Sequence, residues 1–249
     1  MSFPRRLAAT YRQIWQTYWG WAASIWLLAV VVFVPLGLLN ALTLNVELDS
    51  LDVTNGIKLA AFALAVGAVT VTGLLGEVFF SGAIAVSLTH PHGEDPPPLR
   101  EIARRLAYGR LIVVDLAFVA IVAVGLILGV VPGVLAYVWL GLAGPLVELE
   151  GCGPGGALRR SMQLVRGGFW LVFWVLVPIE IVGDAIGSGL AALVHDLLGH
   201  TFLATWLAES LADATLSPVF AVAAVLLTVD RMTTKEGTAP PLHASPVPA

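Results

Sequence analysis

Apolar residues in this chain arrive in long unbroken runs, not in the alternation of a half-buried strand or the narrow stripe of an amphipathic helix. The runs cover residues 21–44, 57–88, 111–131, 134–149, 169–194 and 209–229. A helix needs about 20 mostly apolar residues to cross the hydrocarbon core, and lipid offers no partner for an unpaired backbone group. Each run therefore predicts a transmembrane helix. Two of them have unusual lengths. The second would form a helix of roughly 48 Å, so it must tilt, break near Gly73–Gly76, or project beyond the membrane. The fourth is short and follows the third directly, with Pro132-Gly133 expected to end the third helix.

Composition agrees with the pattern. Hydrophobic residues make up 58% of the 249 and charged residues only 12%, half the share usual in a soluble chain. That excludes a soluble enzyme or a disordered regulator. A net charge of −4 excludes a broad basic surface for nucleic acid. The single cysteine, Cys152, excludes an internal disulfide framework or a cysteine-rich metal site.

Basic residues orient the chain, because arginine and lysine resist translocation. With the amino terminus inside, twelve of the thirteen fall in inner segments and only Lys58 falls outside. The expectation is a multi-pass protein of a bacterial cytoplasmic membrane with both termini cytoplasmic. The near absence of lysine beside abundant alanine, glycine and arginine points to a bacterial source of high GC content. The first run is too long for a signal peptide and follows Arg12, Trp15, Tyr18 and Trp19, so it is expected to remain as a span. Residues 238–249 hold four prolines among small neighbours and read as a disordered tail behind a single domain over 1–237.

The three helices that run outward share a lead-in. Arg5-Arg6 with Arg12, Arg104-Arg105 with Arg110, and Arg159-Arg160 with Arg166 are paired arginines, each followed by a third. Apolar residues at helical spacing accompany them, such as Leu7, Tyr11 and Ile14, or Leu158, Met162 and Val165. A helix with a basic edge and an apolar face lies in the headgroup layer beside anionic lipid. The expected architecture is therefore all-α: six transmembrane helices in three hairpins, each preceded by a basic interfacial helix on the cytoplasmic side. The simpler alternative, that inner loops merely collect arginines, explains the charge but not the spacing.

Carboxylates within the spans are the candidate chemistry. An intramembrane acid is expensive unless protonated, hydrogen-bonded, hydrated or holding a cation. Asp115 and Glu148 fall near the inner boundary, where they are expected to reach water. Glu180 lies about 17 Å into the fifth helix, with Asp184 one turn further on the same face. Asp213 is expected level with Asp184, and Glu77 marks either a helix break or a relay. Glu77, Glu180, Asp184 and Asp213 are the candidate ion or proton site, with His195, His200 and Glu209 as further outer-side donors. The competing reading is that these acids cap helices or face a wet crevice. His90-Pro91-His92 is better explained as a turn, and the glycine-rich segment 151–156 lacks the lysine of a phosphate loop. No catalytic triad, metal centre or cofactor motif is expected.

Three segments carry a family resemblance. They are Val131-Pro132-Gly133-Val134-Leu135-Ala136-Tyr137; Gly144-Pro145-Leu146-Val147 with Glu150-Gly151; and Ala157-Leu158-Arg159-Arg160-Ser161 with Leu164-Val165-Arg166-Gly167 and Phe169-Trp170. Together they resemble the bacterial glycerophosphoryl diester phosphodiesterase membrane-domain family. Leu227-Thr228-Val229-Asp230-Arg231 with Lys235-Glu236-Gly237 is similar to that family's closing segment, although the family usually has tyrosine where Thr228 or Val229 stands. The likeness covers about 130–175 and 226–237. It implies a multi-helix membrane domain without chemistry of its own. The phosphodiesterase activity is not carried over, since a catalytic domain would need some two hundred further residues with acidic metal ligands.

Two functions follow as expectations. The first is a non-catalytic scaffold, accessory or lipid-organising subunit that meets anionic lipids or a protein partner through the arginines. The second is a transporter or permease-like subunit coupled to protons or cations through the carboxylates.

Overall fold

The computed structural model describes residues 3–44, 76–89, 98–199 and 201–237. All regular structure among them is helical: α1 (Phe3–Gly20), α2 (Ala22–Leu44), α3 (Glu77–Leu88), α4 (Leu99–Arg105) and α5 (Tyr108–Leu128), then α6 (Val130–Leu140), α7 (Ala143–Leu149), α8 (Pro154–Val165), α9 (Phe169–Leu198) and α10 (Phe202–Glu236). Four stretches are long and apolar enough to cross a membrane: Tyr108–Leu128, Val130–Leu149, Phe169–Leu198 and Phe202–Glu236. The pair α1 and α2, bent by 81° at Trp21, makes a fifth if counted as one. The chain is thus an all-helical protein of membrane type. Most of the second predicted run, the tail 238–249, His90, His92 and His200 lie outside the described residues.

The lead-ins are separate helices: α1 before α2, α4 before α5, and α8 before α9. In α1 the residues Ile14, Thr17 and Tyr18 are buried while Arg5 and Arg12 are exposed, as a one-sided apolar stripe requires. Across the bend, the Trp26 indole donates to the Tyr18 hydroxyl at 2.8 Å. The second lead-in is only seven residues long, and Arg110 belongs to the first turn of α5 instead.

The last helix forms the axis of the bundle. Helix α10 packs along α9, α2 and α3 and also touches α1. Its stretch Ala221–Val225 is fully buried, and the small side chains of Ala221, Ala223 and Ala224 let neighbouring helices approach closely. Helix α2 lies against α10, while α3 packs mainly on α10 and α7. Among the described residues, α2 and α3 touch each other only slightly, and residues 57–75 of the first expected hairpin lie outside the described residues.

Two turns differ from expectation. The third span ends at Gly129, whose φ of 145° suits glycine, and α6 already begins at Val130. Pro132 sits inside the first turn of α6, where its missing N–H breaks no hydrogen bond, so it starts this helix and does not stop the previous one. A Cβ on Gly125 would lie 2.8 Å from Gly133 Cα, so the two glycines let α5 and α6 meet closely beside the turn. At the far end of the bundle, α9 and α10 continue to Gly199 and Thr201, several residues beyond the predicted spans. The segment expected as a loop is mostly helix.

The fourth span is broken between α6 and α7 at Gly141–Leu142. The Ser161 hydroxyl of α8 donates to the Trp139 carbonyl there, at 2.7 Å, satisfying one acceptor at the end of α6. The short helices α3 and α7 then pack face to face, with almost all of α3 buried. Gly144 makes this possible, since any Cβ would collide with the Val78 carbonyl and the Ser81 side chain. Gly144→Val should therefore separate α3 from α7 and cost about 1–3 kcal/mol or more. The measurement is thermal unfolding in mild detergent, and an unchanged midpoint would show that the two helices do not touch as described.

Candidate functional site

Helix α3 begins in the interior, so its first N–H groups have no intrahelical partner and no water. Gly76, at φ 94°, turns the chain into the helix. The Asp115 carboxylate of α5 completes the end, accepting from the N–H groups of Gly76 at 2.8 Å, Val78 at 3.0 Å and Phe79 at 3.4 Å. Asp115 is only 4% exposed. This corrects the expectation that it reaches water at the inner boundary: its charge is spent on the positive end of α3. Glu148 is likewise bonded, accepting from the Ala107 N–H at 2.9 Å just ahead of α5.

Glu77 occupies the first position of α3, where the residue is 5% exposed. It lies within electrostatic reach of Glu180, Asp213 and Asp115, with the Ser217 side chain beside it. Its Oε2 is buried without a hydrogen-bond partner. Glu180 accepts from the Tyr137 hydroxyl at 2.8 Å. The Tyr137 ring is held between Phe118 and Phe220, each with its centroid 5.8 Å away, so the phenol has little freedom to turn aside. Asp184 follows one turn along α9 and is exposed, while Asp213 is half-buried on α10. Ser210, Asp213 and Ser217 recur at helical spacing on one face of α10, and the Ser210 hydroxyl is also buried without a partner.

The four candidate acids thus divide. Glu77, Glu180 and Asp213 are brought together from α3, α9 and α10, and Asp184 stands at the rim. Of the further outer-side donors, His195 lies in the last turn of α9 with Nδ1 3.4 Å from the Gly199 carbonyl, and Glu209 lies within α10. Among the described residues, no group of three His, Cys, Asp or Glu is arranged to hold a metal ion. Tyr137 and Ser217 were not singled out from the sequence. Ser217 had a legible signal in its spacing from Asp213, but Tyr137 had none beyond being polar in an apolar run.

The arginines also divide. In each pair the second is bound: Arg6 to Asp230 at 2.8 Å, Arg105 to Glu101 at 3.0 Å, and Arg160 to both Glu150, at 2.9 Å, and Glu236. Arg110 donates to the Gly151 carbonyl at 2.7 Å. Arg5, Arg12, Arg104, Arg159 and Arg166 are exposed. Buried Arg231 donates to the Leu164 carbonyl at 3.3 Å, and its guanidinium lies over Gly168, where an added Cβ would push it aside. Lys235 donates to the Gln163 carbonyl. Residues 160–168 and 231–236 therefore meet in one polar knot at the arginine-rich end.

Comparison with family models, curated proteins and solved structures returns no match.

The hydrogen bonds that Arg160 donates to Glu150 and Glu236 raise its pKa, so this arginine stays charged. Cys152 lies beside the same carboxylate. Burial, then the Glu150 charge, pushes its thiol above the usual range, which lowers the thiolate fraction at any given pH. Maleimide labelling of Cys152 at pH 7.5 should be several-fold slower than in the unfolded chain and should accelerate as pH rises. Glu150→Gln should speed it at fixed pH. Equal rates in folded and unfolded protein would contradict this environment.

Proposed function

We propose that this chain is a permease-like membrane protein whose Glu77–Glu180 site exchanges protons and couples them to movement of a solute. The observation that carries the reading is Glu77, 5% exposed, with one carboxyl oxygen unpartnered and three further carboxylates in reach. A carboxylate at mid-membrane costs about 3 kcal/mol even on the scale least severe to it. A purely structural site would relieve that cost with an amide or an apolar side chain. Broken helices beside the acids fit the same reading, because discontinuous helices place polar backbone ends at the midplane of transporters. Asp184 gives the site an exposed neighbour on one side. Toward the arginine-rich end it is closed by the tight packing of α3 against α7. Separation of those two short helices would open it to the other side.

The test is proton flux into proteoliposomes followed with a trapped pH-sensitive dye. Glu77→Gln and Glu180→Gln should each abolish flux while leaving thermal stability equal or higher, since each removes a buried charge without changing shape. If both amide variants conduct as the unaltered protein does, or neither the variants nor the unaltered protein conducts under an imposed pH gradient, the reading fails.

A second reading, a lipid-organising or partner-docking platform on the cytoplasmic side, is favoured by the arrangement within the arginine pairs. The second arginine is anchored by an acid, and the first of each (Arg5, Arg104 and Arg159) is exposed. Replacing those three with glutamine should weaken binding to vesicles or partners at the arginine-rich face while leaving proton flux intact. Unchanged retention would remove this reading.

A further inference from the structure

A groove of about 660 Å³ runs between α2, α3, α4 and α5, and neither Glu77 nor Glu180 lines it. Its walls are apolar, with Val31 and Val32 on one side and Ile112 and Leu116 on the other. Val31, Ile112 and Leu116 are 57%, 48% and 52% exposed, so the groove opens sideways onto the apolar flank of the bundle. Water gains nothing there, and an occupant must be hydrocarbon along most of its length. One end differs. Arg100 of α4 lines the mouth at the arginine-rich end, and no carboxylate is paired with it among the described residues. Glu101 beside it is bonded to Arg105. At the deep end Asp115 also lines the groove, but its oxygens are taken up by the start of α3. The path along α5 from Tyr108 to Leu116 rises about 12 Å, close to the roughly 15 Å of one leaflet's hydrocarbon. Shape, polarity and charge therefore all run in the order of a single lipid: anion at the mouth, chain along the walls.

We propose that this groove is a binding site for one anionic phospholipid of the arginine-rich leaflet, its phosphate on Arg100 and an acyl chain between α2 and α5. The volume lies within the range of built small-molecule sites, and the proposal stands whether or not the acid site moves protons. The test uses the full chain in mild detergent, titrated with phosphatidylglycerol or phosphatidylcholine and read by native mass spectrometry. One phosphatidylglycerol should remain bound in preference to phosphatidylcholine. Arg100→Gln should reduce that preference about fivefold, the loss of one arginine–headgroup contact. Ala103→Trp, at an exposed position of α4 lining the groove, should block retention of either lipid without lowering thermal stability. Ser188→Ala, at an exposed position of α9 away from the groove, should leave binding unchanged. Equal retention of lipid by the unaltered protein, Arg100→Gln and Ala103→Trp would overturn the proposal, as would competition by inorganic phosphate alone. A dimer dissociated by Ala103→Trp would assign the groove to a second copy of the chain and overturn it too.

Discussion

A helix that starts inside an apolar bundle must bring its own solution for its first N–H groups, and the rest of this architecture depends on how that is done. Asp115 reaches across from α5 and accepts from Gly76, Val78 and Phe79 together. Without a carboxylate there, three donors would be stranded where neither water nor lipid can bond them. With it, α3 can begin at mid-bundle and point its end at the polar residues of α9 and α10. Negative charge at a helix start also gains from the helix dipole. Burying Asp115 and capping α3 are thus one event, and each would be unfavourable alone.

That event positions Glu77. Being first in α3, its carboxyl is carried to the level where Glu180 and Asp213 arrive on their own helices. The acids differ in how well they are held. Asp115 is saturated by backbone donors, and Glu180 has a phenol fixed by two aromatic rings. Glu77 keeps one oxygen unbonded. The gradation from a structural acid to an incompletely satisfied one directs attention to Glu77, since natural interiors seldom leave a buried polar atom without a partner.

At the arginine-rich end the same logic of pairing separates anchors from exposed charge. Arg6 ties the first helix to the last through Asp230, and Arg160 ties α8 to α10 through Glu236. These contacts join segments far apart in the chain, so they hold the bundle closed around α10. Isolated surface ion pairs contribute little, but here each is accompanied by packing of the helix that bears it. The neighbouring arginines of each pair are left facing outward.

The sequence by itself determined the class of protein, because long apolar runs with few charges can satisfy their backbones in lipid only as helices. It also indicated the lead-in helices, since apolar residues at helical spacing accompany each pair of arginines, and it marked Glu77, Glu180 and Asp213 as costly residues needing a reason. Their meeting was not legible, because α3, α9 and α10 are distant in the chain and no local pattern sets which helix faces which. The role of Asp115 was hidden for the same reason: its partners are backbone groups of a helix start that carries no side-chain signature. Pro132 misled locally, as proline both ends and begins helices, and only the position of Gly129 decided between them. Tertiary structure alone distinguished the acid that caps from the acid left unpaired, because that distinction lies in which donors surround each carboxylate in space.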